Sequence, residues 1–116
     1  MNAIKEQLPY TLDKFDVSNL GEHYKGKVRE NFHLDDEIIM VTTDRISAFD
    51  HVLGTIPFKG QILSEIANFW FEKTRKIAPN HILSSPDPQV LIAQKAETLP
   101  VEVIIRGYIT GSLWRE

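Results

Sequence analysis

One helical pattern lies between two groups of strand-like segments, and this arrangement constrains the fold more than any other feature of the chain. Apolar residues recur at helical spacing over residues 61–78, and Pro79 ends the pattern. Phe69 and Trp70 belong to its broad apolar face, so we expect these aromatic side chains in the core. A helix with such a face needs a second layer to cover it, which the surrounding strands can provide as a sheet.

The strand-like segments alternate apolar and polar residues or contain runs of Val and Ile. In chain order, the predicted strands are residues 22–32, with one glycine interrupting the strand, and residues 37–43, 81–83, 90–96 and 99–105. A turn at Asp35 and Asp36 makes a hairpin of the first two. We therefore predict an α+β fold, a mainly antiparallel sheet of four or five strands with one principal helix. A short helix or an ordered arm over residues 13–20 precedes the sheet.

Length and composition narrow the classes of function. The chain has 116 residues, enough for one domain over residues 1–116, and its 42% hydrophobic and 25% charged residues are ordinary for a globular protein. A net charge of -3 argues against a nucleic-acid partner that is bound through bulk positive charge. The sequence has neither a signal peptide nor an apolar run long enough to span a bilayer, so we expect no membrane partner.

The sequence contains no cysteine, which excludes disulfides, thiolate metal sites and a cysteine nucleophile and favours a cytoplasmic location. The four histidines do not have the spacing of metal ligands, so we predict no metal site in this chain. A small anionic ligand held by a few local cations is compatible with this composition.

Gly26 lies between two lysines within the first predicted strand. It could mark a β-bulge or a close packing contact. It could equally open a loop whose N–H groups approach a phosphate, with Lys27 and Arg29 as charge partners. These residues alone leave both interpretations open.

A second polar cluster, residues 43–50, follows the strand predicted over residues 37–43. Asp44 or Ser47 could cap a helix, and Asp50 could form a turn. Polar groups at the end of a buried strand also tend to orient ligands. Structural and functional interpretations both stay open here.

The last predicted strand ends at Arg106, directly before a region that contains Gly107 and Gly111. Arg106 could pair with a surface carboxylate. The hydroxyl groups of Thr110 and Ser112, together with backbone N–H groups, favour instead a site for a phosphate or carboxylate.

Five segments resemble motifs of the SAICAR synthetase family, the phosphoribosylaminoimidazole-succinocarboxamide synthases, and occur in the same order. They are YKGKVRE at 24–30, TDRISAFD at 43–50, IPFKG at 56–60, FWF at 69–71 and LPVEVIIRGYITGS at 99–112. The last segment is long and specific. The chain is therefore similar to the N-terminal half of these enzymes, which contains a nucleotide-binding lobe.

The resemblance implies an ATP-dependent ligase of purine biosynthesis that uses Mg²⁺ and joins L-aspartate to the ribotide CAIR, giving SAICAR, ADP and phosphate. It also implies an ATP loop of Gly26, Lys27, Val28 and Arg29, further ATP contacts near the adenine from Lys95, Thr98 and Leu99, and CAIR contacts from Asp50, Arg106 and Ser112. No catalytic residue is assigned. Glu30 stands where the family more often has aspartate, which is a conservative difference.

Family members are much longer than this chain of 116 residues. We therefore expect a fragment that is inactive alone and whose missing C-terminal half carries the magnesium-binding acid. Without that half, the apolar strand over residues 101–105 lacks cover, which favours self-association. The alternative is a non-catalytic nucleotide-binding or interaction module derived from the same lobe.

Overall fold

The computed structural model describes residues 2–115 and contains a five-stranded antiparallel sheet, a two-stranded sheet and one long helix. The strands are β1 (Glu22–Lys25), β2 (Arg29–His33), β3 (Glu37–Thr42), β4 (Arg45–Ala48), β5 (His51–Thr55), β6 (Ile82–Asp87) and β7 (Val90–Gln94). The helices are α1 (Asn2–Gln7), α2 (Lys59–Thr74) and α3 (Ser112–Arg115). The main sheet has the order β1-β2-β3-β7-β6, and β4 pairs with β5. The predicted α+β class, a mainly antiparallel sheet with one principal helix, is confirmed.

One face of the main sheet is covered by the N-terminal arm, residues 11–16, and we call it the arm face. Glu30 on β2 pairs with Val41 on β3, and Phe32 lies two residues along from Glu30, so the three side chains share this face. All three are buried, and Phe15 of the arm meets Phe32 edge to face at 6.0 Å. Of the two predictions for residues 13–20, a short helix or an ordered arm, the arm is therefore correct. The short helix at this end of the chain is α1, which lies earlier.

On the opposite face of the sheet, the helix face, α2 packs against β3, and a cavity of about 200 Å³ lies between the helix and the sheet. Leu63 and Phe71 line this cavity from the helix. The other side of the helix is open to solvent, because Trp70 is 59% exposed and Phe69 is 53% exposed. The expectation that Phe69 and Trp70 are core residues is therefore wrong. The helical pattern located the helix, but only one side of the helix packs on this sheet.

Asp44 and Gly60 determine where α2 begins. Phe58 precedes the helix with a φ of 64° and offers no side-chain cap. Asp44 caps the helix instead, because its Oδ1 accepts a hydrogen bond from the backbone N of Gly60 at 2.8 Å. A side chain at position 60 would collide with the carbonyl oxygen of Thr42, so this close approach to the end of β3 requires glycine.

The structure differs from the predicted strands at three places. The single strand predicted over residues 22–32 is two strands, β1 and β2, because residues 26–28 reverse the chain. Residues 45–55 form the β4–β5 hairpin, which the sequence analysis did not predict. Residues 99–105 pair with no strand of the described chain, and Ile105 is 94% exposed. A β-rich segment forms a strand only where a neighbouring strand accepts its backbone hydrogen bonds.

Candidate functional site

The turn between β1 and β2, residues 26–28, is called here the β1–β2 turn and contains three of the four residues predicted to form an ATP loop. The backbone N of Gly26 donates a hydrogen bond to the carbonyl oxygen of Arg29 at 2.8 Å and closes the hairpin. A Cβ atom at Gly26 would lie only 3.2 Å from that oxygen. Gly26 therefore belongs to a tight turn and does not form a β-bulge within one strand.

The carbonyl oxygens of this segment are bound from inside the protein. Arg45 donates hydrogen bonds to the carbonyl oxygens of Gly26 at 3.0 Å, Lys27 at 2.8 Å and Arg29 at 3.3 Å. The backbone N and Oγ1 of Thr43 donate to the carbonyl oxygen of Val28 at 3.0 and 2.9 Å. In a planar trans peptide the N–H points opposite to the C=O, so the N–H groups of Lys27 and Val28 are directed outward. Such outward N–H groups can bind an anion.

Two cationic side chains accompany the β1–β2 turn. Arg29 is exposed and also lines the cavity beside α2. Lys27 forms an exposed ion pair with Asp50, which lies at the tip of the β4–β5 hairpin. The hydrogen bond from Lys27 and its positive charge hold the pKa of Asp50 below its ordinary value of 3.8. The structure thus brings a predicted ATP residue, Lys27, next to a predicted CAIR residue, Asp50.

Phe49 and Asp50 form the two-residue turn of the β4–β5 hairpin, with φ values of 48° and 67°. Two positive φ values match the twist of a tight hairpin, but residues with side chains adopt them only at a cost in free energy. Asp50 is therefore a turn residue, as one of the two interpretations had it. Strained positions of this kind are concentrated at binding sites.

A buried ion pair lies beneath the β1–β2 turn. Arg45 Nη1 donates to Glu30 Oε1 at 2.5 Å, and both side chains are only 2% exposed. The second carboxylate oxygen of Glu30 contacts His23 Nε2 at 2.9 Å. Burial raises the pKa of Glu30, but hydrogen bonds from Arg45 and His23, with their charges, outweigh that effect and hold the pKa below its ordinary value of 4.5. Glu30 therefore stays ionised at neutral pH and balances the charge of Arg45.

Lys95, Thr98 and Leu99, the other predicted ATP residues, follow β7 at the far end of the sheet. The β1–β2 turn lies beside the Thr42 end of β3, whereas Gln94 pairs with Glu37 at the opposite end. A strand of six residues is about 20 Å long. The structure therefore separates Lys95, which bonds Asp36 at that opposite end, from the β1–β2 turn by about the length of a strand.

Two of the three residues predicted to bind CAIR, Arg106 and Ser112, lie at the Gly111 turn, and the third, Asp50, lies at the tip of the β4–β5 hairpin. Arg106 lies against Gly111, since a Cβ atom there would be 2.9 Å from Arg106 Nη1. Ser112 begins α3, but its side chain lies outside what the structure describes. Over the described range, no hydrogen bond or ion pair joins Arg106 to Asp50. The structure places Arg106 at the glycine turn, as the sequence suggested.

Two buried charged residues, Glu30 and Arg45, lie beneath the β1–β2 turn, and a third, Asp44, caps α2; none of the three was among the predicted binding residues. A signal was present, because Asp44 and Arg45 directly follow a β-rich segment. Charged side chains that enter a core in this way must be paired or hydrogen-bonded.

Among residues 2–115, no group of three or more His, Asp or Glu side chains is arranged to hold a metal ion. No residue described here is assigned to Mg²⁺, and we derive no step through it. Within the same range, no helix is both long enough and apolar enough to cross a bilayer.

The sequence profile of the SAICAR synthetase family matches residues 22–116. The chain belongs to the SAICAR synthetase family. A putative phosphoribosylaminoimidazole-succinocarboxamide synthase 2 of Agrobacterium fabrum is 50% identical over 102 residues, 87% of this chain and 32% of that protein. The phosphoribosylaminoimidazole-succinocarboxamide synthase of Cytophaga hutchinsonii is 47% identical over 117 residues, 100% of this chain and 36% of that protein. The chain thus spans about a third of the length of these SAICAR synthetase relatives.

Solved SAICAR synthetase structures have the same fold. The SAICAR synthase of Saccharomyces cerevisiae, complexed with SAICAR, has a TM-score of 0.80 and 30% identity and covers 90% of this chain, which matches 43% of the yeast chain. A type-2 SAICAR synthetase in complex with ADP has a TM-score of 0.72 and 26% identity, with 81% of this chain and 42% of that chain covered. The α+β architecture is therefore the one found in this family.

Proposed function

We propose that residues 1–116 are the ATP-binding lobe of a SAICAR synthase, an ATP-dependent ligase of de novo purine biosynthesis that acts in the cytoplasm. The enzyme would condense CAIR with L-aspartate to give SAICAR, ADP and phosphate. The observation that carries the proposal is the β1–β2 turn, whose outward N–H groups lie beside Lys27 and Arg29 in a chain of the SAICAR synthetase family.

ATP would lie along the helix face, with its phosphates at the β1–β2 turn and its adenine toward Lys95, Thr98 and Leu99. The strand length between these groups suits an elongated ligand whose base and phosphates are at opposite ends. Met40 and Leu91, between the two ends, provide apolar surface under the nucleotide.

The chemistry requires ATP because a carboxylate oxygen of CAIR is a poor leaving group. Attack of that oxygen on the terminal phosphorus of ATP releases ADP and forms an acyl phosphate, and attack of the aspartate amine on the acyl carbon then releases phosphate. Lys27 and Arg29 would neutralise phosphate charge, while Asp50, Arg106 and Ser112 would hold the ribotide. Mg²⁺ would accompany the ATP phosphates, and no residue of this chain is assigned to it.

The ion pair between Lys27 and Asp50 links the two proposed sites. A phosphate at the β1–β2 turn would compete with Asp50 for the ammonium group of Lys27. Asp50 would then be available to hydroxyl groups of the ribotide. ATP binding would in this way prepare the contact between Asp50 and CAIR.

The second candidate is a non-catalytic module that binds nucleotide at the same turn. It is supported by the geometry of the turn alone, because outward N–H groups beside Lys27 and Arg29 can bind a phosphate without any turnover. Both candidates predict nucleotide binding at the β1–β2 turn, so turnover distinguishes them.

A chimaera in which this chain is continued by the remaining length of the Cytophaga hutchinsonii relative tests the proposal, because that relative aligns with the whole chain. We expect the chimaera to form SAICAR from CAIR, aspartate and ATP, and residues 1–116 alone to form none. The intact relative is the positive control. A chimaera that binds ATP without turnover would favour the non-catalytic module, and turnover by residues 1–116 alone would contradict the predicted inactivity.

We also propose that the isolated chain self-associates, with a second copy covering the apolar segment at residues 101–105. Val103 is 81% exposed and Ile105 is 94% exposed, and no strand of the described chain pairs with this segment. Light scattering should report a mass that grows with concentration, and an apolar dye should bind. A monomer that binds no dye would contradict this expectation.

A further inference from the structure

We propose that Arg45 is a positioning residue that holds the β1–β2 turn with its N–H groups directed outward, and so keeps the turn ready for a phosphate. The proposal rests on the proposed function only for the identity of the ligand. The part that concerns the shape of the turn rests on hydrogen bonds within the chain.

The hydrogen bonds of Arg45 account for all of its donors. A guanidinium group has five N–H donors. Arg45 uses them on three carbonyl oxygens of the turn segment, on the carbonyl oxygen of Asp13 at 2.5 Å, and on Glu30. Since Arg45 is also only 2% exposed, it has neither a donor nor a surface to offer a nucleotide. Its effect on a ligand must act through the groups that it holds.

The positions of the carbonyl oxygens determine the chemistry of the turn surface. A carbonyl oxygen that faced a phosphate would repel it, whereas an N–H group attracts it. Arg45 binds the carbonyl oxygens of Gly26 and Lys27, and the trans peptides then direct the N–H groups of Lys27 and Val28 away from the core. Without these hydrogen bonds, either peptide could rotate and present its oxygen to the ligand.

Glu30 and His23 offset the free-energy cost of burying the charge of Arg45. An arginine without a counter-charge in this position would carry a large desolvation penalty. Glu30 supplies the counter-charge, and His23 Nε2 contacts the other oxygen of its carboxylate. The arm adds the carbonyl oxygen of Asp13 to the same guanidinium, so the turn, the arm and β2 are tied to one group.

The test uses residues 1–116 and two substitutions at the guanidinium, Arg45→Lys and Glu30→Gln. Lysine keeps the charge but has three donors on one atom, so it cannot reach all five acceptors. Glu30→Gln keeps an acceptor for Arg45 and serves if Arg45→Lys does not fold. Asp44→Asn is the matched control, because it weakens the start of α2 without touching a carbonyl oxygen of the turn.

The first readout is the backbone amide signals of Lys27 and Val28 by NMR in the nucleotide-free chain. We expect Arg45→Lys to shift both signals more than it shifts the amide signals of β2, and Glu30→Gln to do so more weakly. Asp44→Asn should leave them unchanged. Unchanged Lys27 and Val28 signals in both test variants would overturn the positioning role, whatever the turn binds.

The second readout is titration with ADP, followed at the same amide signals. We expect ADP to shift the Lys27 and Val28 signals of the unsubstituted chain, and Arg45→Lys to raise the dissociation constant at least tenfold, about 1.4 kcal/mol. Unaltered ADP affinity despite a displaced turn would overturn the link to phosphate binding. If ADP moves neither signal in the unsubstituted chain, the proposed nucleotide site itself is wrong. The first readout then still decides whether Arg45 shapes the turn.

Discussion

The two regions predicted to bind anions each contain an arginine, and the two arginines behave in opposite ways. Arg45 is buried under the β1–β2 turn, and its donors are taken by backbone carbonyl oxygens and Glu30. Arg106 is exposed and lies beside Gly111 in a segment that makes no hydrogen bond to the sheet within the described range. A buried arginine shapes the backbone around it, whereas an exposed arginine keeps its donors for a ligand.

The same contrast applies to the backbone of the two regions. Residues 37–42 and 101–105 are both rich in β-branched side chains, but only the first form a strand. β3 has β2 on one side and β7 on the other, and these neighbours bind its N–H and C=O groups. Residues 101–105 have no such neighbour in the described chain. Strand formation therefore depends on partners that a local pattern does not reveal.

The largest effect that we expect is on the free energy of unfolding, which should respond very differently when each arginine is replaced by alanine. Arg45→Ala leaves Glu30 buried without its counter-charge, and we expect the free energy of unfolding to fall by about 3–5 kcal/mol. Arg106→Ala should change it by less than about 0.5 kcal/mol, because that side chain is exposed. Urea unfolding followed by circular dichroism measures both. Similar losses for the two variants would mean that Arg106 also supports the fold.

Local patterns were sufficient for the parts of the fold that local forces determine. The helix was predicted over residues 61–78 and found as α2, and the strand at 90–96 was found as β7. Burial was harder to predict. The aromatic side chains of α2 were predicted to lie in the core, but half of the helix has no partner on this sheet. Periodicity reports an apolar face and does not report what covers it.

The candidate site was predictable only in part, for a similar reason. Gly26 and Lys27 could be placed by their motif, and the structure finds them in a turn. The hydrogen bonds of Arg45 to that turn join residues 18 and 19 positions apart in the sequence. From the sequence, Glu30 is only a conservative difference from the aspartate that the family more often has, although in the structure it balances a buried charge. Contacts across strands become visible only once the strands are paired.

The second largest effect should come from Lys27, measured in the chimaera. If Lys27 neutralises ATP phosphates, Lys27→Ala removes a charge-assisted contact worth about 1.5–3 kcal/mol and raises the KM for ATP accordingly. The KM for CAIR should rise less. Lys76→Ala removes the same charge beyond α2 and is the control. Unchanged ATP kinetics would leave Lys27 as no more than the surface partner of Asp50.

A smaller effect is expected on CAIR binding when Arg106 is changed. A planar guanidinium can bind two oxygens of one anion, and an ammonium group cannot, so Arg106→Lys should weaken CAIR about tenfold, roughly 1.4 kcal/mol, with the KM for ATP nearly unchanged. Ser112→Ala should act in the same direction but less strongly. Arg75→Lys on the surface is the control. Normal CAIR kinetics for Arg106→Lys, or a defect in ATP alone, would return Arg106 to the surface ion-pair interpretation.

The smallest effect concerns pH and compares a buried carboxylate, Glu30, with an exposed one, Asp50. The pKa of Glu30 is lowered in the folded chain, so its ion pair contributes stability above the unfolded value near 4.5, and that contribution is lost as pH falls through the folded pKa. Each pKa unit of lowering is worth about 1.4 kcal/mol. Glu30→Gln has no such carboxyl group and should lose less stability between pH 7 and pH values well below 4.5.

Asp50→Asn is the control for that pH series. The pKa of Asp50 is also lowered, by the hydrogen bond and charge of Lys27, but the pair is exposed and screened by solvent. We therefore expect Asp50→Asn to follow the acid unfolding curve of the unsubstituted chain. His23 contacts Glu30, and Asp16 contacts His23; both remain in all three proteins, so the difference between the curves reports Glu30 together with its contact to His23. If Glu30→Gln and Asp50→Asn gave the same curve, the ion pair with Arg45 would contribute no more to stability than a surface pair.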